Sequence, residues 1–322
     1  MKIYQNIKDI SDSFSVLVFD CHGVLWSGDG FFDGVFDTLE YLMKQGKIIY
    51  ILSNSTFRSE FVESKYKKFG LEQGKHYTKF ITNGEIVHEF LKKGLLKFET
   101  NKTPKTYYNL FYPNNELFMD TRYQKVFDMK DADFVYVGIP RLHSTDVEKI
   151  EKYKNYISNF SGNKKTFFDD TNDVWYDCLS LDPFMDDIET VKHFNLPVLS
   201  INPDFTAKEN GDYVTRQGSI ANELRKSGIE VIEFGKPLKI TFENALADVK
   251  NISNDKILMI GDSIANDIKG ANNFGIKSAL VLKTGFMSVD VVDNSGMIDE
   301  KKLCQIIDSS DVNCDFFIEK IS

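Results

Sequence analysis

Long apolar runs, paired cysteines and an excess of positive charge are all missing from this chain. Its longest apolar stretches, such as residues 48–52, fall far short of the roughly 20 residues that a membrane-spanning helix needs. No membrane partner is expected. Four cysteines are present, Cys21, Cys178, Cys304 and Cys314, and none form a Cys-x-x-Cys pair, which argues against a disulfide framework or a thiolate metal site. No basic leader followed by an apolar stretch opens the chain, so a reduced, cytoplasmic protein is the simplest expectation. Lys and Arg total 39 against 48 Asp and Glu, a net charge of −9. That balance argues against a nucleic-acid-coating surface and favours a small ligand. Of the five histidines, His76, His88, His143 and His193 are scattered without ligand spacing.

What the chain does contain is 322 residues at 42% apolar content, enough for a sizeable core and for two domains. Two strand-like runs, residues 15–19 and 256–260, each deliver an aspartate: Asp20 into Cys21-His22-Gly23, and Asp262 into a helix-like stretch that carries Asp267. Carboxylates at the carboxyl ends of parallel strands share one crevice however far apart they lie in sequence. Such a group can hold a divalent cation, and a carboxylate left partly exposed there can attack phosphorus.

The head of the chain alternates strand and helix signals. A helix carrying Val35, Leu39, Leu42 and Met43 is closed by Gly46, a β-branched run at 48–52 ends in Ser53-Asn54-Ser55-Thr56, and residues 57–69 read as an amphipathic helix capped by Gly70. The tail repeats this pattern, with helices at 240–249 and 264–274 and strands at 257–260 and 277–282. The expected fold class is α/β, a doubly wound parallel sheet built from residues 1–83 and 234–322. Residues 84–233, richer in Asn, Lys, Tyr and Phe, read as a large inserted α/β domain with strands at 134–137 and 198–201. Arg216-Gln217-Gly218-Ser219 opens a helix-like stretch there and is a candidate contact for an anionic substrate. Gly28-Asp29-Gly30 lacks the third glycine of a dinucleotide fingerprint and is read as a turn.

Four motifs in fixed order, Phe19-Asp20-Cys21-His22-Gly23-Val24-Leu25, Ile51-Leu52-Ser53-Asn54, Gly235-Lys236-Pro237, and Gly261-Asp262 followed by Asp267, resemble the haloacid dehalogenase superfamily of phosphohydrolases. With Ile201-Asn202-Pro203-Asp204 upstream of the lysine, their form is similar to the class IIA branch, which includes p-nitrophenyl, pyridoxal-phosphate, phosphoglycolate and NagD-type nucleotide phosphatases. The resemblance implies a phosphohydrolase that uses Mg2+ and an aspartyl phosphate to act on a small phosphorylated metabolite. Asp20 would be the nucleophile. Asp20, the backbone carbonyl of His22 and Asp262 would bind the cation, with Asp267 as a further ligand or an orienter. Ser53, the backbone N–H of Asn54, and Lys236 would hold the phosphoryl oxygens. The inserted domain would act as a cap that supplies substrate contacts, with Asn202 and Asp204 in a positioning role, and a homodimer through the cap is compatible with the branch.

His22 departs from the pattern, because most phosphatases of this superfamily carry a second aspartate two residues after the nucleophile. The expectation is an altered acid/base step carried by imidazole. Two other readings stand beside it: a metal- and phosphate-binding protein with little turnover, and a related hydrolase whose leaving group needs no proton.

Overall fold

Val16-Leu17-Val18-Phe19 has no polar face, and a strand of that composition is stable where both of its faces are covered. All four residues are fully buried, each contributing roughly 1.5–3 kcal/mol from burial. The computed structural model describes residues 2–113, 115–158, 174–209 and 212–322. Among these, the strands in chain order are β1 (Ile3–Tyr4), β2 (Val16–Phe19), β3 (Ile48–Ser53), β4 (Lys79–Thr82), β5 (Thr106–Leu110), β6 (Gln124–Val126), β7 (Phe134–Val137) and β8 (Arg141–His143). They continue as β9 (Trp175–Asp177), β10 (Val198–Ser200), β11 (Thr206–Glu209), β12 (Asp212–Thr215), β13 (Val231–Glu233), β14 (Ile257–Gly261), β15 (Lys277–Val281) and β16 (Phe316–Ile318).

The chain forms two units, one of Met1–Asn54, Ser59–Thr82 and Lys236–Ser322, the other of Ser55–Arg58 and Asn83–Gly235. In the first, the sheet order is β1-β16-β15-β14-β2-β3-β4, and every neighbouring pair is parallel. From β2 the chain steps outward through β3 and β4, then returns at β14 on the other side of β2 and steps outward through β15 and β16. The order therefore reverses between β2 and β14, and at such a switch point a crevice opens beyond the carboxyl ends of the strands. Phe19 pairs with Ile260, and the Asp20 N–H donates to the Ile260 carbonyl at 2.8 Å. The two aspartate-bearing turns are thereby held side by side.

The helices follow the apolar spacing. Val35–Lys44 buries Val35, Leu39 and Leu42 on one face and is followed by Gly46 at φ +75. The 57–69 stretch is helical over Ser59–Lys67, and the 240–249 stretch is a helix at Lys239–Ala245 followed by a tighter turn at Ala247–Val249. A local difference from expectation lies at 264–274, which begins as a π-helix, Ile264–Ile268, before continuing as an α-helix, Lys269–Phe274. The loop after β2 is anchored by Trp26, whose ring is 5.1 Å from Phe31, 5.1 Å from Tyr66 and 4.8 Å from Phe69.

The second unit has its own parallel sheet, ordered β13-β10-β7-β5-β6. Alternation along β7 divides its core. Val135 and Val137 join an aliphatic cluster with Ile188, Val198, Ile220 and Leu224, while Phe134 and Tyr136 meet aromatic rings that include Phe118, itself stacked on Tyr107 at 3.8 Å. Two separate antiparallel strand pairs, β8–β9 and β11–β12, complete the described strands of this unit. Arg58 and Glu85 form a bidentate pair at 2.7 and 2.9 Å, which ties Ser55–Arg58 to this unit. Among the described residues, no helix is long and apolar enough to cross a membrane.

Candidate active site

Asp20 leaves β2 at its carboxyl end and is nearly buried, at 9% exposure. Asp262 follows β14, and the π turn carries Asp267 back toward it. π turns of this kind recur at functional sites. The close return depends on Gly261, where a Cβ would stand 2.2 Å from the Asp267 carboxyl carbon. Among the described residues, Asp20, Asp262 and Asp267 bring one carboxylate oxygen each within 4.8 Å of one another.

Lys236 enters this group from the far end of the sequence. Its ammonium pairs with Asp20 Oδ1, lies 2.8 Å from Asp267 Oδ1 and donates to the Leu52 carbonyl at 2.9 Å. Burial opposes its charge, but Asp20 and Asp267 outweigh burial and hold the Lys236 pKa above the usual lysine range. Burial also pushes Asp262 well above the ordinary carboxylate value, with Asp20 and Asp267 adding to the effect and the Phe286 N–H opposing it. Asp267 is pushed up to about 6, mainly by burial, with Lys236 opposing. Both carboxyl groups are thus less readily ionised than a free aspartate, a cost that a bound cation would offset. Hard oxygen donors, closely grouped and short of compensating charge, fit a divalent cation such as Mg2+.

Ser53 ends β3, the strand beside β2, and Asn54 follows it. Sequence reasoning gave Asn54 a backbone N–H for phosphate, yet its side chain has a further engagement: Lys236 N–H donates to Asn54 Oδ1 at 2.7 Å, and Asn54 Nδ2 donates to the Lys236 carbonyl at 3.2 Å. His22 lies in the same turn as Asp20, but its side chain is exposed, and a Cβ on Gly28 would be 3.8 Å from its Cε1. Cys21 is buried, and burial pushes its thiol up to about 12, so it stays a protonated filler of the strand end.

The other sequence-selected residues belong to the second unit. Asn202 Oδ1 accepts the Asp204 N–H at 2.9 Å, an Asx turn after β10. Arg216, a candidate contact for an anionic substrate, is buried against Asp177, to which Nη1 donates at 2.9 Å, while Arg141 donates to the same carboxylate at 3.0 and 3.2 Å. The antiparallel pairing of β8 with β9 brings Arg141 and Asp177 face to face, a pairing with no local sequence signal. Also missed were Gly285 and Phe286, which line Asp262 together with Gly23 of the first motif. The pointer to them was a glycine a few residues past a buried strand, at the same carboxyl end of the sheet as the aspartates.

Comparison with known proteins finds similar hydrolases. A family model described as haloacid dehalogenase-like hydrolase matches residues 17–107, and a second, HAD-hydrolase-like model matches 233–299. A 4-nitrophenylphosphatase of Schizosaccharomyces pombe is 27% identical over 295 residues, covering 86% of each chain. The chloroplastic phosphoglycolate phosphatase 1A of Arabidopsis thaliana is 23% identical over 301 residues, covering 90% of this chain and 74% of its own. The fold is similar to that of a haloacid dehalogenase-like hydrolase from Brucella suis, with TM-score 0.70, 17% identity, and coverage of 99% of this chain and 100% of that one.

Proposed function

We propose that this chain, which is similar to haloacid dehalogenase-like hydrolases, is a Mg2+-dependent phosphatase of small phosphorylated metabolites working through a phosphorylated Asp20. The observation that supports this most is the placement of Asp20: a carboxylate at the carboxyl end of β2, against the ammonium of Lys236, with Asp262 and Asp267 alongside. The likeness to a 4-nitrophenylphosphatase and to phosphoglycolate phosphatases supports the same reaction class.

A phosphate monoester dianion repels a carboxylate nucleophile, so positive charge must be in place before attack. Mg2+, held by Asp20, Asp262 and Asp267, would supply that charge when bound. Lys236 orients Asp20 and neutralises phosphoryl oxygens, and Ser53 and the Asn54 N–H donate to them. An oxygen of Asp20 attacks phosphorus as the ester P–O bond breaks, and His22 gives a proton to the departing oxygen. Water then attacks phosphorus, its proton passes to His22, and the bond to Asp20 breaks to release phosphate. The second unit selects the organic group, with the Asn202–Asp204 turn in a positioning role.

The test is turnover of aryl and alkyl phosphate monoesters with Mg2+ and with a chelator. Activity that is lost on chelation and regained with Mg2+ is expected. Turnover unaffected by chelation, or none on any phosphate monoester, would overturn the reading.

A further inference from the structure

The carboxyl group of Asp262 is boxed in by backbone from two separate loops. Gly285 adopts φ +64 shortly after β15, and a Cβ there would stand 1.7 Å from Asp262 Oδ2 and 2.5 Å from its carboxyl carbon. Gly23 adopts φ +90 in the turn after β2, where a Cβ would fall 2.3 Å from the same oxygen and 2.9 Å from the Gly285 Cα. The two glycines thus meet over Oδ2. The Phe286 N–H then donates to that oxygen at 2.7 Å. With Oδ2 enclosed and hydrogen-bonded, Oδ1 is the oxygen left for a cation shared with Asp20 and Asp267.

We infer that Gly285 and Phe286 are positioning residues that hold Asp262 as a one-oxygen ligand and thereby favour Mg2+ over Ca2+. The proposal rests on the cation reading given above. Mg2+ demands near-ideal octahedral geometry, which the narrow bite of a carboxylate binding through both oxygens distorts. Ca2+ takes more ligands and accepts both modes. A carboxylate prevented from turning its second oxygen inward therefore discriminates between the two ions. Groups that orient a metal ligand typically matter by roughly 10–100-fold in affinity.

The experiment is calorimetric titration of metal-stripped protein with Mg2+ and, separately, with Ca2+, for wild type, Gly285→Ala and Gly46→Ala. Gly46 has the same left-handed backbone, at φ +75, but a Cβ there meets nothing within 4 Å, so it reports backbone strain alone. Gly285→Ala should weaken Mg2+ about tenfold or more and Ca2+ distinctly less, while Gly46→Ala leaves both ions as in wild type. Unchanged Mg2+ binding in folded Gly285→Ala, equal losses for the two ions, or an equal loss in Gly46→Ala would overturn the proposal alone. If the wild type itself binds no Mg2+, the cation reading falls and the proposal falls with it. Should Gly285→Ala fail to fold, the Phe286 amide decides the matter in 15N-phenylalanine-labelled wild type, with its resonance assigned by Phe286→Leu. A low-field, hydrogen-bonded position kept at Mg2+ saturation supports the proposal, and its loss overturns it.

Discussion

Asn54 and Lys236 lie 182 residues apart and exchange two hydrogen bonds, the Lys236 N–H donating to Asn54 Oδ1 and Asn54 Nδ2 donating to the Lys236 carbonyl. The turn after β3 thereby fixes the backbone from which Lys236 reaches Asp20. Asn54→Ala should cost about 1–3 kcal/mol in stability, since it leaves partly buried groups without partners, and should lower kcat more than it raises KM. Asn54→Asp keeps the acceptor and should recover part of the loss. Equal kcat in wild type and Asn54→Ala would show that the clamp does not position the lysine.

The carboxylate group predicts a pH-dependent response to Mg2+. The folded pKa of Asp267 is raised to about 6 from an ordinary 3.8. Between those values the unfolded chain has released a proton that the folded chain keeps, so stability falls as pH rises from 3.8 through about 6. A cation that binds the folded, deprotonated site offsets this loss. The gain in Tm on adding Mg2+ should therefore be larger above about pH 6 than below it. Equal gains on both sides, in a thermal melt with and without Mg2+, would count against this arrangement.

Asp177 makes the opposite prediction for the second unit. Burial raises its pKa, but Arg141 and Arg216 outweigh burial and hold it below the ordinary 3.8. Its contribution is present above 3.8 and is lost as pH falls through the lowered value. Asp177→Asn leaves two buried guanidiniums without their shared carboxylate and should destabilise the unit by about 3–5 kcal/mol, read as a lower denaturation midpoint at neutral pH. A midpoint within error of wild type would contradict this.

His22 is tested by leaving group. If its imidazole carries the proton, alkyl phosphates, whose leaving oxygen needs one, should lose activity in His22→Asp and the pH profile should move toward acid. Aryl phosphates should change less. A gain on alkyl phosphates would instead mean that histidine limits turnover, and an unchanged profile would remove His22 from proton transfer.

The elements legible in the sequence were those whose local pattern matches their burial. β2 and β14 are wholly apolar, and β7 and β10 were visible for the same reason, whereas β6 and β13 are short, partly exposed and carry charge. Strand-end position was enough to group Asp20 with Asp262, because parallel topology sets proximity without side-chain detail, whereas Asp267 joined them through the family resemblance. Strand position could not reveal the π turn at Ile264–Ile268, the amide clamp of Asn54, or the Phe286 N–H on Asp262. Each of these joins a side chain to distant or irregular backbone and leaves no periodic trace. The ion pair of Arg216 was hidden for a related reason: its partner Asp177 lies 39 residues away and is recruited by tertiary folding.

The central claim, that phosphate passes through Asp20, is tested most directly by trapping. Borohydride added during turnover with Mg2+ and substrate should reduce a phosphorylated aspartate to homoserine, which peptide mass spectrometry would place at position 20 and which would be absent in Asp20→Asn. Sustained turnover with residue 20 unmodified, or with the modification on another residue, would contradict the account.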